Sequence, residues 1–130
     1  MKHKFEELYQ FIKLNHQLSE WAQKTTLKER TKELKKEINE MMKELEKDDP
    51  ENFRKELGDV LWDLLGIIVR AEDEGLLDIK KFLDEVHNKY KQRKPFLLGK
   101  KKVSLEEEKR IWRKIKIKEK NAKNNPPSNI

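Results

Sequence analysis

The sequence predicts an all-α fold: a helical bundle of about five helices, completed by dimerisation. Apolar residues recur at helical spacing in five stretches, no segment alternates apolar and polar residues as a strand would, and each stretch is bracketed by helix start or stop residues. At 130 residues, with 35% hydrophobic content, the chain suits one domain with a modest core. That domain is expected over residues 1–120, leaving 121–130 as a disordered tail rich in Asn and Pro.

The first helix is expected from Lys4 to Gln23, with Phe5, Leu8, Ile12, Leu18 and Trp21 on its inner side, and Thr25-Thr26 breaks it. Thr26 and Glu29 form a capping-box pattern opening the second helix, which carries Leu34, Ile38, Met41 and Leu45 and runs to Lys47. Asp48-Asp49-Pro50 ends that helix and starts the third, with an Asp cap and proline in the first turn. The third runs to about Glu74, where Gly75 stops it. The fourth follows an Asp78 cap, places Ile79, Phe82, Leu83, Val86 and Tyr90 on one face, and ends before Pro95, which disfavours helix at Lys94. After the basic loop Gly99–Lys102, Ser104 and Glu107 open a fifth, strongly basic helix bearing Ile111, Trp112 and Ile115.

The third helix has its core stripe at Leu57, Leu61, Leu64 and Ile68, yet Trp62 and Leu65 point well away from that centre. A helix apolar around much of its circumference must be covered on several sides, so a homodimer or a dimer of dimers is expected, with this helix near its mate. The alternative is that the first, fourth and fifth helices cover it alone.

With no cysteine there is no disulfide framework and no thiolate metal site. Nothing resembles a signal peptide or an apolar span of ~20 residues, so a cytoplasmic protein is expected. The net charge of +6 is unevenly spread: residues 1–79 hold 14 basic and 19 acidic side chains, residues 80–130 hold 17 and 6. An acidic part suited to cations followed by a basic part suited to phosphates fits an enzyme acting on a magnesium-nucleotide. Nucleic-acid binding would also explain the basic part.

Two carboxylate pairs stand at helical i, i+3 spacing, Glu37 with Glu40 and Glu56 with Asp59, so each pair directs two acids the same way. Packed together, four such acids repel unless a proton or a hard, oxygen-seeking cation compensates them. Asp59 and Asp63 also interrupt the most apolar run in the chain, where an unpaired buried carboxylate is costly. In a chain with 43% charged residues the competing reading is a solvated acidic face, and spacing alone does not separate the two. His3, His16 and His87 show no metal-ligand spacing, and no Gly-rich phosphate loop or nucleophilic serine constellation is present.

Glu37-Ile-Asn-Glu40, fifteen intervening residues, then Glu56-Leu-Gly-Asp59 resembles the E-x-x-E, spacer, E-x-x-D signature of the MazG-type nucleoside triphosphate pyrophosphohydrolases. Lys89-Tyr-Lys-Gln-Arg93-Lys-Pro95 is similar to that family's K-F-x-x-R-x-P segment. Trp112-Arg-Lys-Ile-Lys116-Ile-Lys-Glu119-Lys120 is similar to its closing W-x-x-I-K-x-x-E-K. Trp21, sixteen residues before Glu37, sits where many members carry tryptophan, so the resemblance covers residues 19–120. The departures are Lys36 for a second glutamate, Ser19-Glu20 for Cys-Pro, and Gly66 where many members have an asparagine that helps hold the nucleotide.

The resemblance implies hydrolysis between the α and β phosphates to a nucleoside monophosphate and pyrophosphate, a nucleotide house-cleaning activity. It implies Mg²⁺ (Mn²⁺ able to substitute) on Glu37, Glu40, Glu56 and Asp59, with Glu37 or Glu40 orienting the attacking water. Lys89, Arg93 and Lys116 are the candidates for gripping the triphosphate, since arginine can hold phosphate oxygens bidentately and lysine acts as a point charge. Trp112 could stack on a base, although its i, i+3 relation to Ile115 favours packing. Asp63 is expected to take over part of the recognition lost at Gly66. The alternative class is a basic helical nucleic-acid-binding or protein-interaction module using the fifth helix and the Lys100–Lys102 loop. Within the superfamily, related reactions on deoxyuridine nucleotides or phosphoribosyl-ATP share the same metal site.

Overall fold

A computed structural model describes residues 1–124, and among them all regular structure is helical. The elements are α1 (Lys2–Leu18), α2 (Glu20–Lys24), α3 (Leu27–Glu46), α4 (Pro50–Asp73), α5 (Ile79–Arg93), a 3₁₀ turn (Pro95–Leu97) and α6 (Leu105–Asn124). The chain divides into two compact units, Met1–Ile79 and Lys80–Ile130.

In the first unit α4 packs most extensively on α3 and next on α1, and α2 folds against α1. The expected first helix is divided. Ser19 takes extended geometry (φ −90°, ψ 122°) and its Oγ accepts from the Ala22 N–H at 3.1 Å, so it caps a separate short helix. Thr26 and Glu29 form the expected capping box. Asp49 caps α4 by accepting from the Asn52 N–H at 3.1 Å, with Pro50 in the first turn.

The α3–α4 connection is a Schellman close: the Asp48 N–H donates to Leu45 O and the Asp49 N–H to Glu44 O, with Asp48 left-handed at φ 56°. The end of α4 repeats the motif with the residue best suited to it. Gly75, at φ 77°, donates to Glu72 O, and Leu76 donates to Ala71 O. The Glu72 carboxylate then accepts the Ile79 N–H at 2.7 Å, which satisfies a free donor at the start of α5.

The core differs from the expected stripe. The buried apolar residues are Ile12, Ala22, Val69 and Ala71, joined by Gly66 on α4, whereas Leu57 and Leu64 are 45% and 44% exposed. Phe5, Leu18, Trp21, Ile38 and Leu45, all expected inside, are exposed as well. The physical reason is a buried charge. Arg30 is 7% exposed, donates to the carbonyls of Gly66 and Ala22, and lies over the Trp21 ring, so α4 turns Gly66 and Val69 inward rather than Leu57 and Leu64. Arg70 adds donors to Ala22 O (3.2 Å) and Gln23 O (2.7 Å), so two arginines satisfy the free carbonyls ending α2.

In the second unit long side chains join α5 to α6. Arg93 forms a bidentate pair with Glu119 (3.1 and 3.0 Å), and Lys94 meets Glu108 at 3.0 Å. Ser104 Oγ accepts from the Glu107 N–H as expected, but the Glu107 carboxylate binds Arg110 rather than closing a capping box. Helix α6 continues through Asn124, past the expected boundary at residue 121, and residues 125–130 lie outside the described residues. No helix among the described residues is long and apolar enough to cross a membrane.

Candidate functional site

Because α3 and α4 are joined by a three-residue turn, they run back as a hairpin, and acids placed midway along each can meet. Glu37 from α3 and Glu56 and Asp59 from α4 each offer an oxygen within 4.8 Å of the others. Glu40 is half-buried but outside this trio. Its charge nevertheless reaches Glu37.

Glu37 is the most perturbed of the acids. Its carboxyl is pushed from 4.5 up to about 7 by burial first, then by the charges of Glu40 and Asp59, then by a close approach to the Glu56 carboxyl and by Asp63. Glu37 Oε2 and Glu56 Oε2 are both buried with no hydrogen-bond partner. Two buried carboxylate oxygens without donors, on residues that each bring an oxygen within 4.8 Å of the others, form with Asp59 a set that a hard cation would satisfy.

Asp63, one turn beyond Asp59, lines a small cavity with Trp21, Arg30, Glu33 and Trp62. Its carboxyl is raised by burial, Glu33 and Asp59, with Arg30 opposing. Sequence reasoning missed Arg30. In a helix rich in lysine and glutamate an arginine looks like surface, and the only signal was Gly66, whose absent side chain lets the guanidinium approach α4. His16, also set aside, is 5% exposed with Nε2 3.3 Å from Asp73.

A family model described as the MazG nucleotide pyrophosphohydrolase domain matches residues 25–98, more than half of the chain. The chain belongs to the MazG nucleotide pyrophosphohydrolase family. The MazG fold is also that of a solved structure, the mazG-related protein from Thermotoga maritima, at TM-score 0.81 and 30% identity over 85% of this chain and 97% of that one. None of the curated proteins matches.

The remaining expected site residues of this MazG chain lie in the second unit. The Arg93 guanidinium is committed to Glu119, lies over the Tyr90 and Trp112 rings at 5.9 and 5.1 Å, and is 11% exposed. Lys116 Nζ lies 5.1 Å from the Trp112 ring centre, so Trp112 is half-buried between two cations. The Glu119 carboxyl is held below its ordinary value, first by the Arg93 hydrogen bond and more weakly by Lys116 and Lys89. Lys89 is exposed.

Proposed function

We propose that this MazG protein is a magnesium-dependent nucleoside triphosphate pyrophosphohydrolase that releases nucleoside monophosphate and pyrophosphate in the cytoplasm. The observation that carries the reading is the Glu37–Glu56–Asp59 trio with its two unpartnered buried oxygens. These three residues would hold magnesium, which supplies charge neutralisation for the phosphates when bound. Glu40, half-buried and outside the trio, is the remaining carboxylate to hold the attacking water and take its proton. The water oxygen attacks phosphorus, the α–β anhydride bond breaks, and its electron pair leaves with pyrophosphate.

Lys89 and Lys116 are proposed as point charges for the phosphates, whereas Arg93 acts through Glu119 as a brace that holds α6 to α5. Trp112 belongs to the same brace, which favours packing over base stacking and weakens the nucleic-acid-binding alternative. The exposed apolar residues Leu57 and Leu64 on α4 and Met42 and Leu45 on α3 support a homodimer.

The test is pyrophosphate release from separate ribo- and deoxyribonucleoside triphosphates with and without Mg²⁺. Asp59→Asn and Glu56→Gln are expected to abolish release with unchanged helical circular dichroism. Full activity in both variants would overturn the site assignment.

A further inference from the structure

Helix α6 carries charge of one sign on its outward side. Its inner side is fixed by two ion pairs to α5, Glu119 with Arg93 and Glu108 with Lys94, and the half-buried Ile111, Trp112 and Ile115 fall on that same side by helical spacing. Over residues 109–123 the helix holds eight basic side chains and one acid, and that acid is Glu119, turned inward to Arg93. Lys109, Arg113, Lys116, Lys120 and Lys123 follow one another at spacings of four and three residues, so they form a single row along the exposed face. At about 1.5 Å per residue the row is ~21 Å long. Lys109, Arg113, Lys120 and Lys123 have no ion pair among the described residues.

High charge density does not by itself produce such a row. Helix α3, also of 20 residues, carries six basic and six acidic side chains with the signs intermixed. Like charges at i, i+4, as in Lys109 with Arg113 and Lys116 with Lys120, destabilise the helix that bears them, and an anion laid along the row relieves the repulsion. The anion that matches is long and regularly charged. Phosphates of one strand repeat every ~3.4 Å along a duplex axis, so ~21 Å of strand offers about six phosphates to the five cations. Trp112 is held between Arg93 and Lys116, so the face has no aromatic platform for unstacked bases, which favours a duplex over a single strand. A bilayer is disfavoured because an interfacial helix needs an apolar stripe towards lipid, and over residues 109–123 Ile117 is the only exposed large apolar side chain.

We propose that the outward face of α6 is a docking surface for the phosphate backbone of a nucleic-acid duplex, held by charge without readout of base sequence. Such docking needs no stacking on Trp112, so it accompanies the pyrophosphohydrolase reading rather than replacing it.

The test follows the full chain by fluorescence anisotropy with fluorescein-labelled duplexes of about 20 base pairs, DNA and RNA separately, between about 50 and 200 mM KCl. With five phosphates neutralised, the logarithm of the binding constant is expected to fall against the logarithm of salt with a slope of about −4. Combining Lys109→Gln, Arg113→Gln and Lys120→Gln is expected to make the slope shallower by about 3 and to weaken binding at the lowest salt at least about tenfold. These changes relieve repulsion within α6, so the variant should keep its helical circular dichroism and melt no lower than the parent. Combining Lys28→Gln, Lys32→Gln and Lys35→Gln on α3 removes the same charge elsewhere and is expected to leave the slope within about 1 of the parent's. No binding to either duplex at the lowest salt, tighter binding to a single strand of equal length or to phosphatidylglycerol vesicles, or an α6 variant that binds no more weakly than the α3 variant would overturn the proposal. Binding is read without triphosphate and Lys116 is intact in both variants, so pyrophosphate release measured on the same samples bears on the enzymatic reading alone.

Discussion

Replacing Glu37 by glutamine separates the two roles its perturbed carboxyl can play, as an acid under strain and as a metal ligand. Its carboxyl is pushed from 4.5 up to about 7 by burial and by Glu40, Asp59 and Glu56. An acid with a folded pKa above its unfolded one holds a proton in the folded chain through that interval. The metal-free protein should therefore lose stability as pH rises from about 4.5 to about 7, and keep that loss above it. The shift corresponds to about 3 kcal/mol. Because the side chain is only half-buried, solvent screening leaves roughly 1 kcal/mol of that.

The same proton competes with the cation. With Glu37 titrating near 7, magnesium affinity should fall about tenfold between pH 8 and pH 6, because a ligand must be deprotonated to bind. Calorimetric titration of magnesium at both pH values, with thermal melts in EDTA, measures the two effects on one sample. Glu37→Gln should weaken binding, remove most of this pH step, and raise the metal-free melting temperature at pH 8 by about 4 °C. Magnesium affinity equal within twofold at pH 6 and pH 8, or a Glu37→Gln variant that melts lower than the parent in EDTA, would refute the reasoning.

Asp48→Gly should stabilise the chain by about 1 kcal/mol in urea melts, since Asp48 holds φ 56° at a Schellman position that glycine takes without penalty. Leu57→Lys with Leu64→Lys should turn a dimer into a monomer by light scattering, because each leucine buried at an interface contributes about 2 kcal/mol; a wild-type monomer would contradict the proposed pairing. Glu119→Gln should weaken the bidentate grip on Arg93 and raise the hydrogen-exchange rate of α6 amides, whereas an effect on triphosphate KM alone would mean that Arg93 serves substrate rather than structure.

Features decided within a few residues were legible in the sequence. The Thr26–Glu29 box, the Asp49 cap with Pro50, and the Gly75 stop depend on local donors and acceptors, and all three form. Ser19 was overlooked because Leu18 and Trp21 extend the apolar periodicity of the first helix, although a serine followed by glutamate is itself a cap signal. The acid spacing left a clustered site and a solvated acidic face both open; Glu37, Glu56 and Asp59 do come together, and i, i+3 spacing could not tell that Glu40 falls outside their trio. Packing was the least legible part: apolar periodicity gave α4 a leucine face, and nothing in periodicity announces that a charged residue will take the inner position instead.

Arg30 explains why the fold and the candidate site fail or hold together. Its guanidinium joins the end of α2 to the middle of α4 through Ala22 and Gly66, and burial first, then the neighbouring Arg70 charge, lower its pKa, so two cations stand where a core would ordinarily have none. Buried charges of one sign are tolerated when charges of the other sign stand close. Asp63 and Glu74 oppose the lowering at Arg30, and Asp63 in turn raises Glu37. Glu37 of the trio and Arg30 at the α2–α4 junction therefore share Asp63 as a common neighbour. Removing the Arg30 charge would take from Asp63 a cation that opposes the upward shift of its carboxyl, so the guanidinium at position 30 stabilises the ionised acid on this strip of α4.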